Sequence, residues 1–179
     1  MTGTLTWVEA GIDIGLRVGQ LVNSALTARK IAQCERRVIS TPSYFKAVGV
    51  PRIPADLVRH QVIIYEQPLG SPTWIFRQGA AEASVSLGGR VRLNTTVGVR
   101  SCVLADLGVA IASEWMFAPE LKSRAVHAVL TDWLLPPVDL WAIFPTGRQA
   151  SAKARAFASF IESRMLSRDR FQQQMGAEN

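Results

Sequence analysis

The sequence predicts an α/β fold, and three observations carry that expectation. Arg90–Leu93 alternates charged and apolar residues as a half-buried strand does, and Val97–Ala105 places Val99, Cys102, Val103 and Ala105 at helical spacing. Val109–Ala112 is a short, wholly apolar run of the kind found in buried strands. Asn94-Thr95-Thr96 supplies side chains that cap a helix, and Asp106-Leu107-Gly108 closes it. Strand, helix and strand in this length form a βαβ unit, whose crossover makes the two strands parallel neighbours in one sheet. The first amides of such a helix point outward at the strand's carboxyl end. Open α/β sheets bind small ligands there, and amides with hydroxyls favour an anion.

The remaining elements follow in order. Leu5–Glu9 reads as a short helical stretch ahead of a strand over Ile12–Arg17, in which Asp13 needs a partner if it is buried. Gly19–Ser24 turns the chain, and Leu26–Ile39 is a long extended segment with two alternating faces. Thr41 caps a helix that carries Pro42 in its first turn and ends near Gly49. Pro54–Arg59 makes one or two helical turns before a strand over Gln61–Tyr65, and Glu66–Pro72, with two prolines and Gly70, is a loop. Trp74–Arg77 and Ala83–Leu87 read as antiparallel strands joined across Gly79. Glu114–Leu121 reads as a helix, and Val126–Leu130 and Val138–Phe144 as strands on either side of a turn over Trp133–Pro137. Ser151 caps the last helix, whose Ala154, Phe157, Ala158 and Ile161 form an apolar stripe. Beyond Leu166 a polar tail containing Gln172-Gln173-Gln174 is expected to fray.

Composition sets the limits. The 179 residues are 48% hydrophobic, enough for one domain or two small lobes with a buried core. Lys and Arg outnumber Asp and Glu by 20 to 14, for a formal charge of +6. The excess is scattered in groups such as Arg29-Lys30, Arg36-Arg37 and Arg164–Arg170, which read as a solvated face rather than a nucleic-acid surface. No segment has the eighteen or so consecutive apolar residues of a membrane span, and Met1–Ala10 lacks the basic start and apolar core of a secretory signal. A cytoplasmic protein is expected.

Catalytic chemistry finds no constellation. Cys34 and Cys102 have no metal-like spacing and read as buried, reduced thiols, and His60 and His127 stand apart from each other and from both cysteines. Ser43, Ser101 and Ser113 lack the G-x-S-x-G pattern. No catalytic residue, metal or cofactor is expected. The ligand candidates are Thr95, Thr96 and Val97 at the helix start. Tyr65, followed by Glu66, ends another strand, and Val18 with Gly19 ends the first. Each has a second reading that stays open: Thr95 and Thr96 as helix caps, Tyr65 as core, Val18-Gly19 as a plain turn.

The pattern from Asn94 through Ala105-Asp106-Leu107-Gly108-Val109-Ala110-Ile111 resembles the second half of the effector-binding domain of LysR-type transcriptional regulators. Further segments agree in order. Gly11-Ile12-Asp13-Ile14-Gly15-Leu16-Arg17-Val18-Gly19 is similar to the family's G-x-D-x-x-x-R-x-G strand, and Arg37-Val38-Ile39-Ser40-Thr41-Pro42-Ser43-Tyr44 to its V-x-S-P-x-Y segment. Pro54-Ala55-Asp56-Leu57 with His60 matches P-x-D-L-x-x-H, Trp74-Ile75-Phe76 matches W-x-F, and Leu140–Pro145 with Lys153–Ile161 completes the set. The resemblance covers roughly residues 9 to 165.

That resemblance implies a two-lobed, type II periplasmic-binding-protein-like domain that holds a small, anionic metabolite between its lobes on Thr95, Thr96, Val97, Tyr65, Val18 and Gly19. It divides the chain into 1–33 as the first segment of lobe one, 34–113 as a complete lobe two, 114–165 as the returning segment of lobe one, and 166–179 as a tail. Gln33–Glu35 would be the first hinge. It also implies a dimer, no membrane, and DNA contact only through a winged helix-turn-helix; neither that module nor the first part of lobe one is expected in this chain. Two other classes stay open: a transporter's solute-binding protein, disfavoured by the lack of an export signal, and a small α/β enzyme, which would need a titratable cluster.

Overall fold

A computed structural model describes residues 11–21, 27–66, 73–144 and 150–176, with side chains of the last helix described to 165. Strands β1 (Gly15–Val18), β2 (Thr27–Cys34) and β3 (Arg36–Ser40) precede helix α1 (Pro42–Val48). A 3₁₀ turn over Pro54–Arg59 leads to β4 (Val62–Tyr65), β5 (Thr73–Gln78), β6 (Ala81–Ser86) and β7 (Val91–Leu93). Helix α2 (Thr96–Leu104), β8 (Val109–Ser113), a second 3₁₀ turn (Glu114–Phe117) and α3 (Ala118–Ser123) follow. Strands β9 (His127–Val129) and β10 (Val138–Phe144) and the long helix α4 (Ala152–Gly176) complete the order. The helical stretch expected over Leu5–Glu9, the end of the Gly19–Ser24 turn and most of the Glu66–Pro72 loop lie outside the described residues.

The chain forms two compact units, one from residues up to Gln33 and from Val138 on, the other from Cys34–Pro137. In the first unit, β10 lies between β1 and β2, and α4 buries Ala154 and Ala158 from the stripe read in its sequence. Strand β1 pairs antiparallel with β10, from Gly15 opposite Ile143 to Val18 opposite Leu140. It starts three residues later than Ile12, and Asp13 sits ahead of it at the surface, 2.6 Å from Lys153 Nζ.

The second unit is a five-stranded mixed sheet in the order β7-β4-β8-β3-β9. Strands β7 and β8 are each parallel to β4, and β3 is antiparallel to β8 and β9. One correction follows. The βαβ strands β7 and β8 are parallel but not neighbours, because the wholly apolar β4 sits between them, where both its faces are covered. On one face α2 packs Val99 and Val103 onto Ile39, Ile63, Ala110, Phe117 and Val126. On the other, the β5–β6 hairpin, α1 and the first 3₁₀ turn bury Phe76, Val85, Tyr44, Phe45 and Leu57 against Val38, Val62, Val109 and Ile111.

Two boundaries also differ from expectation. Residues 114–137 belong to the second unit, so the chain returns to the first at Val138 rather than at Glu114. The cause is pairing: β9 joins the edge of the sheet beside β3, and Leu134 exchanges backbone hydrogen bonds with Arg77 of the hairpin at 2.9 and 2.7 Å. Nor does the helix stop near Leu166: α4 continues to Gly176, since the run of Arg, Met, Leu, Ser and Gln contains no breaker before that glycine.

Local chemistry holds the second unit's helices in place. Thr41 caps α1 by accepting from Tyr44 N at 3.2 Å, and its own hydroxyl donates to Asp106, which sits in a left-handed turn at φ 60°. Ser43 Oγ lies 2.8 Å from each Asp106 carboxylate oxygen. The Thr41 and Ser43 hydroxyls hold the Asp106 carboxyl below the usual aspartate range. A depressed carboxyl contributes stability that is full above its unfolded value, ~3.9, and is lost as pH falls through the folded one. Asp106→Asn keeps the left-handed conformation but not the charge. Melting curves are therefore expected to show the variant below the parent at pH 7, with the two converging in acid; a constant gap down to pH 2 would refute the linkage.

A candidate anion site at the carboxyl edge of the sheet

The parallel strands β4, β7 and β8 end on one edge of the second unit, and β3, running the other way, begins there: Tyr65 is opposite Leu93, and Arg36 opposite Ser113. At that edge Thr95, in extended conformation, caps α2 by accepting from Gly98 N at 3.1 Å, and Val99 N bonds to Thr95 O at 3.2 Å. A methyl group on Gly98 would stand 2.9 Å from the Thr95 hydroxyl, so glycine is what lets the cap close. The amides of Thr96 and Val97 and the Thr96 hydroxyl have no acceptor or donor among the described residues, and Val97 is 73% exposed. Two orphan amides at the positive end of a helix dipole are therefore open to solvent.

Tyr65 is half-buried against the α2-side core, two residues before the cap in the paired register. Glu66 N bonds Leu93 O at 2.7 Å, and Arg92 reaches the Glu66 carboxylate at 3.3 Å in an exposed ion pair beside Tyr65. Val18 and Gly19 belong to the first unit, where Val18 is exposed at the end of β1. Gly19 is buried, its N–H donating to Asp139 O at 2.9 Å and its carbonyl accepting from Trp141 Nε1 at 3.0 Å. Thr95, Thr96, Val97 and Tyr65 are thus brought to one edge of one unit, and Val18-Gly19 is a structured strand end in the other.

Sequence reasoning missed three residues at the same edge. Arg37 donates through Nε to Glu114 at 2.9 Å and also pairs with Glu35, both within the second unit. Arg36 stacks its guanidinium 5.3 Å over the Trp74 ring and has no carboxylate partner among the described residues; burial lowers its pKa from the ordinary value. An uncompensated, half-buried cation raises the local positive potential. The available signal was its place at the start of a strand opposite Ser113; the sequence showed only a pair of basic residues.

Of the groups considered for other chemistry, His60 has a structural partner in Tyr44. Tyr44 OH accepts from Gln61 N at 3.1 Å and lies 3.3 Å from His60 Nδ1; burial raises the tyrosine pKa and lowers the histidine pKa. Cys34 is buried and Cys102 half-buried. Among the described residues no three His, Cys, Asp or Glu side chains are placed to hold a metal ion, and no helix is long and apolar enough to cross a membrane. An open groove of about 540 Å³ lies along β9, with none of the carboxyl-edge residues in its walls.

A model of the LysR substrate-binding domain matches residues 1–166. An HTH-type transcriptional regulator of Xanthomonas campestris pv. campestris is 30% identical over 157 residues, which are 86% of this chain and 46% of that protein. The HTH-type transcriptional regulator PtxR of Pseudomonas aeruginosa is also 30% identical over 157 residues, 86% of this chain and 49% of its own length. The chain spans about half the length of these relatives. Among solved structures, the regulatory domain of CrgA, a LysR-type transcriptional regulator from Neisseria meningitidis, superposes with a TM-score of 0.76 at 22% identity over 92% of this chain and 81% of that one. The effector domain of AmpR of Pseudomonas aeruginosa gives 0.72 at 17% identity over 94% and 80%. Those likenesses show the fold, the periplasmic-binding-protein-like α/β fold of LysR regulatory domains. With the family model spanning all but its last residues, the chain belongs to the LysR substrate-binding domain family of transcriptional regulators.

Proposed function

We propose that this chain is the metabolite-sensing part of a LysR-type regulator and that a small anion binds at the carboxyl edge of its second unit. In this reading the Thr96 and Val97 amides and the Thr96 hydroxyl receive a carboxylate, Thr95 holds the helix start in place, and Tyr65 covers the apolar body of the ligand. The observation that carries it is the pair of orphan amides beside an unpaired hydroxyl. The regulator would work in the cytoplasm as a sensor rather than a catalyst, paired with a second copy, and would contact DNA through a separate domain. Effector binding would act by favouring one of two arrangements of the paired domains.

Affinity is expected to be modest, because the helix dipole adds only about 0.3–1 kcal/mol. Calorimetry with small aromatic and aliphatic carboxylates is expected to find binding in the millimolar range. Thr96→Val removes a hydroxyl that bonds nothing else described, at nearly constant volume, so it should abolish that binding with the melting temperature unchanged. Unaltered carboxylate affinity in a folded Thr96→Val variant would refute the site.

A further inference from the structure

The β9 edge of the second unit's sheet is framed as a groove for an extended chain. Strand β9 pairs with β3 on one side, and among the described residues no strand pairs its other side. Side chains from both faces of the sheet roll over this edge. Pro42, Phe45 and Val50 come from α1 and the segment after it, on the hairpin side, whereas Leu121 and Val126 come from the α2 side. Between them Ala128 and Val129 form the floor, and their side chains divide between the two cores, Ala128 with the α2 side and Val129 with the hairpin side. What the floor presents outward is backbone together with the exposed His127 side chain, in a groove of about 540 Å³ with an apolar wall on each side. An extended segment adding one more strand satisfies such an edge and fills both walls.

Charge selects the occupant. Lys46 stands in one wall, and Lys122, in the last turn of α3, and Arg124, the residue that caps it, lie in the chain between the two residues of the other; none of the three is ion-paired among the described residues. No Asp or Glu lines the groove, and Glu120, the acid on α3, is engaged with Arg100. A second copy fits poorly: the chain carries a formal charge of +6, and two such edges meeting symmetrically would bring the basic clusters of Lys46, Lys122 and Arg124 from both copies together. We propose that this groove binds an extended segment of another protein with an apolar centre flanked by carboxylates, added as a strand to β9. The proposal concerns an edge separate from the effector site and does not rest on it.

The test uses the whole chain, labelled with ¹⁵N and titrated with a capped peptide Asp-Glu-Val-Ile-Val-Glu-Asp. Saturable shifts are expected in His127–Val129 and in Phe45–Val50. A Lys-Lys-Val-Ile-Val-Lys-Lys peptide should bind at least about tenfold more weakly, and the exposed double variant Lys46→Glu/Lys122→Glu should weaken the acidic peptide by a similar factor. Equal affinity for the two peptides, no effect of the double variant with its spectrum otherwise intact, or shifts confined to other residues would overturn the proposal. So would shifts of the β9 resonances that depend on protein concentration without peptide, which would assign the edge to a second copy.

Discussion

Phe76→Ala is expected to remove about 3–5 kcal/mol of stability, the usual cost of emptying a closed phenylalanine site. Phe76 is 0% exposed and sits on β5 between the hairpin and the five-stranded sheet, among Val38, Leu57, Val62, Val85 and Leu87. The hairpin is tied to the rest of the unit through that side chain and through the Arg77–Leu134 bridge, so the cavity has rigid walls on both sides and cannot collapse cheaply. A domain of ordinary stability has only about 5–15 kcal/mol in total. Trp74 and Trp133 pack on the same core, and their fluorescence in a urea titration should report an earlier midpoint with an unchanged slope. Phe157, 43% exposed on α4, provides the comparison, and its replacement by alanine should cost less than about 1 kcal/mol. Equal losses at the two positions would mean that Phe76 is not the keystone of the hairpin side.

What could be read from the sequence was whatever local chemistry decides. Thr41-Pro42 opening a helix and Gly49 ending it, Thr95 capping α2, the hairpin across Gly79, and β10 over Val138–Phe144 all stand where turn residues and periodicity put them. Sheet order is a different kind of information. Val62–Tyr65 and Val109–Ala112 are both wholly apolar runs, and nothing in their spacing says that β4 separates β7 from β8; that is settled by packing across the whole unit. The segment 114–137 failed for the same reason, since Phe117, Val126 and Trp133 would suit either core. Of the edge site, the cap and the amides were legible because N-cap chemistry is local. The Arg37–Glu114 pair was not, because its partners meet through strand pairing over 77 residues of chain, and Arg36 was not, because Trp74 reaches it only once the hairpin packs on the sheet. The Arg100–Glu120 pair joining α2 to α3 escaped likewise: at a separation of 20 residues no periodic rule connects them.

Gly108→Ala should be nearly as damaging as the loss of Phe76, at about 3 kcal/mol, by overpacking rather than by a cavity. A methyl group on Gly108 would press into the Gln61 carbonyl, standing 2.9 Å from its carbon and inside contact distance of its oxygen. Neither side can yield freely. That same oxygen accepts Val109 N at 2.9 Å, the bond that starts the pairing of β8 with β4, and the Gly108 carbonyl accepts from the fully buried Ser40 hydroxyl at 2.8 Å. Relief therefore requires β8 to shift along β4 or the turn at Asp106 to move off Thr41 and Ser43, and either displaces α2, which ends in that turn. Because the amides of Thr96 and Val97 are placed by the same helix, the substitution should lower carboxylate affinity even in the fraction that stays folded. Thr96→Val, by contrast, should lower affinity alone. Thermal melting beside calorimetry separates the two, and a Gly108→Ala chain that melts at the parental temperature would show that the β4–β8 contact is looser than its geometry implies.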